Sequence, residues 1–583
     1  MRDGIVLHAD IHRPDTIDKY PAIITRTPYD RIKSFSTQGS GYMDFPRMAR
    51  AGYAVVVQDC RGTGSSEGEF HPWSPDDQAD GYDTVEWAVS QPWCNGNVGM
   101  YGASHLGFTQ WAAAMAKPPH LKAICPAQCA AVIDESPYSK GGVIKWQMLV
   151  NWCLNIMNTN LSRSQLSDAL LISQRENIER IKNNLQEQYL VLPLSEVPVG
   201  KIEDQSMRNF FFDSLKYYDK SDYWQQLSGT VSLQDVAIPA FHIGGWHDHE
   251  LAVGKVLADF MAMRQNSSSQ NSGNNQKLLM GPWSHGLGLS SQVGELDFGL
   301  AASGEAIDMT GMHIQWFNYW LKSINSEFMS QPPIRIFVMG SNVWRSESEW
   351  PLARTKYVNY YLHSGGKANS RSGDGYLSVN LPLEDKPDSY LYDPHYPVPG
   401  HDMELKDAQG SENRQDVLVY STPVLQDDIE VTGPIEVKLF AASSAIDTDF
   451  TVRLLDVWPD EKAFVLVESI VRARYRDSLS DPQFMKPGQV YTFYIKAGST
   501  SNVFKPGHRI RLDISSSSFP KYDRNTNTGQ PIGQDSEIKT ARQTVFHDKL
   551  YPSCVILPVI PIQDGNIEKA GNKKSKRKDN TTT

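Results

Sequence analysis

The sequence contains no apolar run approaching the roughly 20 residues that a membrane-spanning helix needs. It has no excess of basic residues either. Against 56 Lys and Arg stand 67 Asp and Glu, a formal net charge of −11. That disfavours nucleic acid as a partner, because phosphate binding needs a basic footprint. Cysteine is sparse, six in 583 residues, at positions 60, 94, 125, 129, 153 and 554. None forms a Cys-x-x-Cys pair, and a chain this long needs no disulfide staples. Free thiols in a reducing, cytoplasmic setting are therefore expected. The opening MRDGIVLHADIHRP lacks the basic and apolar regions of a signal peptide. It reads as the inside of a first strand, which leaves an upstream segment open. Asn-x-Ser/Thr sites at Asn160, Asn266 and Asn580 are at chance level.

What is present is ordinary globular composition, 40% hydrophobic and 10% aromatic, over a length that suggests about three or four domains. PAIITR (21–26), YAVVVQ (53–58) and VGMYG (98–102) are short apolar runs bounded by turn residues, and read as buried strands. Helical stretches lie between them, so a parallel sheet with helices on both faces is expected over 1–132. Residues 133–232 break the rhythm with helical periodicity in 142–157 and 164–187, and read as an inserted helical cap. The strand–helix rhythm returns over 233–352, with strands ending IPAFHIGG and KLLMG. QNSSSQNSGNNQ (265–276) is polar and of low complexity, and reads as a flexible loop. In MHIQWFNYWLK (312–322) the aromatics are expected to pack the core. From 353 to 563 apolar and polar residues alternate between turn signals, as in a β-sandwich or jelly roll. The tail from 564, with its KKSKRK run, has the composition of a disordered segment.

The chemistry gathers at NGNVGMYGASHLGFTQW. A serine hydroxyl is a weak nucleophile without a base in reach and an acid to orient that base. Here a strand (VGMY) runs into Gly102-Ala103-Ser104-His105, and a helix follows. This is the sharp turn on which α/β-hydrolases raise their nucleophile, with flanking glycines that let the backbone bend. The second glycine, Gly107, sits one residue later than in Gly-x-Ser-x-Gly. The plain alternative is an N-cap serine. In this fold the acid and the histidine follow in that order, on loops after later strands. Asp248, after IPAFHIGG, and His285, in GPWSHG, meet that requirement. An oxyanion hole would take the backbone N–H of His105 and a donor from the loop RTPYDR, where Tyr29 offers its phenol.

These stretches, with GYAVVVQDCRGTGSSEGEF, DTDFTVRLLDVWPD and FKPGHRIRLDISSSSFPKYDRN, resemble the cocaine esterase-like / X-prolyl dipeptidyl-peptidase (CocE/NonD, S15-type) serine hydrolases over nearly the whole chain. The resemblance implies an α/β-hydrolase domain with an inserted helical cap, plus a C-terminal all-β jelly-roll (galactose-binding-like) domain. It implies Ser104 as nucleophile, Asp248 as acid, His285 as base, and an oxyanion hole from Tyr29 and His105. Gly-x-Ser-x-x-Gly is the usual family form. His105 departs from it, standing where the family often has tyrosine. Glu250 matches a glutamate that, in the α-amino-acid ester hydrolase branch, belongs to a carboxylate cluster holding a substrate ammonium. Leu251 replaces the next acid of that cluster, leaving Asp134 or Glu135 to complete it. Glu250 and Trp246 are thus candidate substrate-binding residues.

The expected activity is cleavage of a carboxylic ester or amide through an acyl-enzyme. The expected partner is a small-molecule ester or amide, or a short peptide. No metal, organic cofactor, nucleic acid or membrane is expected, and a homo-oligomer is left open. An X-prolyl dipeptidyl aminopeptidase is the neighbouring reading. A metal enzyme using His242, His247, Asp248 and His249 is disfavoured, because adjacent side chains tend to point apart. A catalytically dead carbohydrate-binding protein is the reading from another class.

Overall fold

The computed structural model describes residues 1–36, 43–131, 138–163, 166–227, 233–248, 253–265, 275–285, 290–400 and 405–561. Residues 266–274 of the low-complexity stretch 265–276 and the tail from 564 lie outside them, while Gln265 ends a helix and Gln276 opens a strand where a loop was expected.

A nine-stranded sheet carries the catalytic region. Its strands are β1 (Ala9–His12), β2 (Tyr20–Thr27), β3 (Ala54–Asp59), β4 (Cys94–Ala103), β5 (Leu121–Ala127), β6 (Ala240–Gly245), β7 (Gln276–Gly281), β8 (Ile334–Val338) and β9 (Val343–Glu347). The order is β1-β3-β2-β4-β5-β6-β7-β8-β9. All neighbours from β3 to β8 are parallel, and the two outermost strands are antiparallel. β3, β6 and β7 are buried along their whole length, as strands covered on both faces must be. Alternation assigns each residue a face. Ile23, Val55 and Val57 pack with Trp316 and Phe317 of the helix Met309–Lys322 on one side. Ala22, Ile24 and Val56 pack with Val85 and Trp111 of two helices on the other. Each of these isoleucines and valines contributes about 1.5–3 kcal/mol. The two helices on that second face, Pro75–Ser90 and His105–Ala116, approach so closely that a Cβ on Gly81 would lie 2.8 Å from that of Ala113.

The chain leaves the sheet after β5 and returns at β6. Between them lie the helices Trp146–Asn160, Asp168–Asn183 and Gln205–Lys216 and shorter turns, around a core of their own. A two-stranded hairpin, Ser139–Lys140 with Val143–Ile144, precedes the first of these helices. Helical periodicity gives no warning of it. From Lys356 to Ile560 the chain forms an eleven-stranded all-β unit. Its longest pair, Ile429–Ser443 against Tyr491–Phe504, is antiparallel with a bulge after Ile435. This unit shares a core with the β6–β8 end of the parallel sheet, through Trp246, Ile336 and Phe337. All six cysteines are free and buried. No described helix is long and apolar enough to cross a membrane.

Candidate active site

Ser104 sits at the end of β4 with φ 59° and ψ −126°, a conformation that a non-glycine residue holds only under constraint. The constraints are visible. The Ser104 N–H donates to the Ala127 carbonyl at 2.9 Å, tying the turn to β5. Gly102, at φ 141°, lies so near the following helix that a Cβ there would come 2.6 Å from that of Leu106. A Cβ on Gly107 would lie 2.5 Å from Cys129 Sγ and 3.0 Å from the Ala127 carbonyl. The late glycine is thus where the helix crosses β5, and its position follows from that packing.

β6 and β7 lie beyond β5, parallel to β4, and the loops after them deliver the partners. His285 Nε2 lies 3.0 Å from Ser104 Oγ, and Nδ1 lies 3.1 Å from Asp248 Oδ2. With Asp248 a carboxylate, Nδ1 carries the proton and the Nε2 lone pair faces the hydroxyl. Asp248 is buried, and His285 keeps a small exposed edge. Burial opposes charge on His285, but the charge and hydrogen bond of Asp248 outweigh it, and the imidazolium is held above the ordinary histidine range.

The loop after β2 brings Tyr29 beside Ser104, near enough for the serine to lower the pKa of the phenol. Trp152, on the first cap helix, donates its Nε1–H to Tyr29 Oη at 3.1 Å. The phenol oxygen thus accepts from the tryptophan, which leaves the phenol its own proton to donate. Burial, partly offset by the bonds to Trp152 and Ser104, raises its pKa and keeps that proton in place. His105 opens the helix, so its N–H has no carbonyl one turn back to donate to. Sequence reasoning missed Trp152, because nothing in the cap's helical periodicity marks which residue reaches across to the loop after β2.

The chain can now be placed among known proteins. Residues 3–287 match the X-Pro dipeptidyl-peptidase (S15 family), and residues 326–556 match the X-Pro dipeptidyl-peptidase C-terminal non-catalytic domain. Cocaine esterase of Rhodococcus sp. (strain MB1 Bresler) is 39% identical over 578 residues, covering 96% of this chain and 97% of the relative. The chain belongs to the cocaine esterase-like, S15-type family of serine hydrolases. It is an α/β-hydrolase with a C-terminal β domain, acting on a carboxylic ester or amide. Among solved structures, an aminopeptidase from a marine sediment Thaumarchaeota archaeon has the same fold, with a TM-score of 0.79 at 23% identity over 96% of this chain and 95% of that one. An α-amino acid ester hydrolase gives 0.77 at 24% identity over the same shares.

Other expectations for this serine hydrolase fare differently. Trp246 belongs to the core. It is fully buried, donates Nε1–H to the Phe337 carbonyl at 2.8 Å, and packs on Trp350 in the core shared with the β unit. Asp248, two residues on, faces His285 instead. Glu250, Asp134 and Glu135 lie outside the described residues. The histidines near Asp248 are engaged apart from one another: His242 Nε2 with Gln276 at 3.0 Å, and His247 Nδ1 with the Pro282 carbonyl at 2.6 Å. His249 lies outside the described residues.

Among the described residues one trio of metal-type donors comes together: Cys60, Asp77 and His105, within 4.8 Å of one another. The guanidinium of Arg26 is also buried there. It donates to the Asp77 carbonyl at 3.0 Å and lies 3.5 Å from Asp80. Its charge acts on all three, pulling each pKa downward. The His105 ring is enclosed by Phe70 and Trp73, at 5.5 and 5.3 Å, and burial with Arg26 nearby lowers its pKa to about 3. It stays neutral at any working pH.

Proposed function

We propose that this enzyme is an esterase for carboxylic esters with an aromatic acyl group, and that Ser104 and the four residues around it divide the chemistry as follows. His285 Nε2 takes the Ser104 proton as Oγ attacks the ester carbonyl. The oxyanion is held by the Tyr29 hydroxyl and the His105 N–H. The imidazolium, steadied by Asp248, gives the proton to the departing alkoxide, and the C–O bond breaks to leave an acyl-serine. Water, deprotonated by the same histidine, then attacks the acyl carbon. Loss of Ser104 as leaving group returns the proton to Oγ and frees the acid. Every group in this sequence comes from the chain.

The observation that carries the substrate reading is the wall beside Tyr29. Trp152 and Trp73 are half-buried, with centroids 5.1 Å apart, and are backed by Tyr138 and Phe210. Half-buried rings against an oxyanion donor leave flat apolar faces that suit a planar acyl group. A relative named cocaine esterase supports an ester over an amide. The six unpaired, buried cysteines support a cytoplasmic site of action.

The test has two arms. A fluorophosphonate probe is expected to label the wild type and to leave Ser104→Ala unlabelled; labelling of both would remove Ser104 as nucleophile. In steady-state assays an aryl benzoate should exceed the matching acetate, an α-amino ester and an aminoacyl-proline amide in kcat/KM. Preference for the α-amino ester, lost in Glu250→Gln, would replace the aromatic reading with an ammonium-binding one. Preference for the proline amide would make the enzyme a dipeptidyl peptidase.

A further inference from the structure

The β unit matches a domain described as non-catalytic, yet one cluster of its buried charges reaches out to the hairpin at the start of the cap. Arg472 donates from Nε and Nη2 to the two oxygens of Asp449 at 2.8 and 2.9 Å, and from Nη2 to Asp523 Oδ2 at 2.8 Å. All three residues are buried. Asn525 adds a further donor to Asp449 at 2.8 Å. The second oxygen of Asp523 leaves the β unit: Oδ1 accepts the Ile144 N–H at 2.6 Å. The Asp523 N–H donates to the Ile144 carbonyl at 2.9 Å, the Arg472 N–H donates to the Gly141 carbonyl at 3.0 Å, and the Gln147 N–H donates to the Pro520 carbonyl at 3.0 Å.

These bonds grip residues 141–147, the hairpin turn and the start of the first cap helix. The fit is close. Gly142, at φ 76°, would place a Cβ 2.1 Å from the Tyr475 ring, and Gly141, at φ 58°, would place one 2.5 Å from the Ile470 carbonyl. On one side of the gripped segment stands Tyr138. On the other runs the helix Trp146–Asn160, which carries Trp152, the donor to Tyr29. The rise per residue puts Trp152 about 9 Å from the helix start, a distance over which a rigid helix transmits where it is held.

We propose that the Arg472–Asp449–Asp523 cluster positions the oxyanion-hole tyrosine, by fixing the helix from which Trp152 holds Tyr29. A buried ion cluster is seldom worth more than well-packed apolar side chains. What the charges add here is a carboxylate whose one oxygen is locked by arginine while the other accepts one particular backbone N–H. Asp523 is a positioning residue in this account, and the account rests on the assignment of Tyr29 to the oxyanion hole.

The test is a double-mutant cycle on kcat and KM for one ester, with thermal melts to confirm folding. Asp523→Ala is expected to lower kcat about three- to tenfold, the worth of one well-placed hydrogen bond, with KM little changed. Asp523→Asn, which keeps an acceptor for Ile144, should restore most of the loss. In a Tyr29→Phe background Asp523→Ala should have no further effect on kcat, because the hydroxyl it positions is gone. Equal losses in both backgrounds, an unchanged kcat, or a loss confined to KM would overturn the proposal. If the alanine variant does not fold, Arg472→Lys, which keeps the charge but loses the fork on Asp449 and Asp523, carries the same cycle, and a loss equal in both backgrounds is again fatal. A wild-type kcat for Tyr29→Phe alone is a different failure: it removes the oxyanion assignment, and this proposal falls with it.

Discussion

Replacing Tyr29 by phenylalanine removes one oxygen and leaves the ring, so the aromatic wall beside Ser104 stays filled. On the proposed assignment, what is lost is one of two donors to an oxyanion that exists only on the way to and from the acyl-enzyme. Removing such a donor costs about 2.7–4 kcal/mol in the transition state, a fall in kcat of about 100- to 1000-fold. KM should change little, because a neutral ester carbonyl draws far less on the donor. Stability should fall separately. Trp152 Nε1–H would lose its acceptor in a half-buried site, at about 1–3 kcal/mol, a loss seen in the melting temperature and not in kcat. The companion Trp152→Phe keeps the tyrosine but frees it to turn. One neutral hydrogen bond, about 1 kcal/mol, makes its kcat loss roughly fivefold. The assay is steady-state hydrolysis of an aryl benzoate, with fluorophosphonate titration to count intact sites. A Tyr29→Phe enzyme within tenfold of the wild-type kcat, or a Trp152→Phe enzyme worse than Tyr29→Phe, would refute the reasoning.

Three further outcomes follow from the same geometry. Asp248→Asn should lower kcat about 10⁴-fold, by analogy with the same change in other Ser-His-Asp enzymes. Because Asp248 is what lifts the His285 imidazolium above its ordinary range, and the neutral ring is the active form, the acid limb of kcat/KM should move to lower pH in the variant; a limb that does not move counts against the pairing. Gly107→Ala forces a Cβ against Cys129 Sγ and the Ala127 carbonyl that holds Ser104, and should lower stability by about 1–3 kcal/mol along with kcat; an unchanged melting temperature would show that the crossing is slack. Asp77 is raised to about 7, by burial first and with Arg26 in partial opposition. The folded state therefore keeps a proton that the unfolded chain has lost, and wild-type stability should fall as pH climbs from the ordinary aspartate range, near about 4, toward 7. Asp77→Asn has no such titration, so its melting temperature should gain on the wild type across that window and hold the gain above it; parallel curves would contradict this.

The reach of the sequence differs from residue to residue. Ser104, Asp248, His285 and Tyr29 were legible because each follows a short apolar strand, and parallel strands gather the loops at their ends on one side of a sheet. Strand periodicity located those loops, and the acid-then-histidine order of the fold, with the family resemblance, picked the residues on them. Trp246 misled for the opposite reason: closeness to Asp248 along the chain says nothing about direction, and its side chain turns into the core. Trp152 and Asp523 were out of reach because their roles depend on partners 123 and 379 positions away. No local pattern records such a pairing. Gly107 lies between these cases. Its displacement from the strict motif was plain, but its reason, the crossing of a helix over β5 at Cys129, needed three dimensions.

The buried cysteines have a use unrelated to catalysis. Thiolate is the reactive form, and burial raises the pKa of every one of the six. A thiol-directed dye should therefore be silent toward the folded enzyme. The six are unevenly shared: Cys60, Cys94, Cys125 and Cys129 belong to the parallel sheet and its loops, Cys153 to the cap, and Cys554 to the β unit. Under graded denaturant, the order in which peptides bearing these residues take up label would tell which of the three bodies opens first. The chain thus carries its own unfolding barcode, with no engineered reporter.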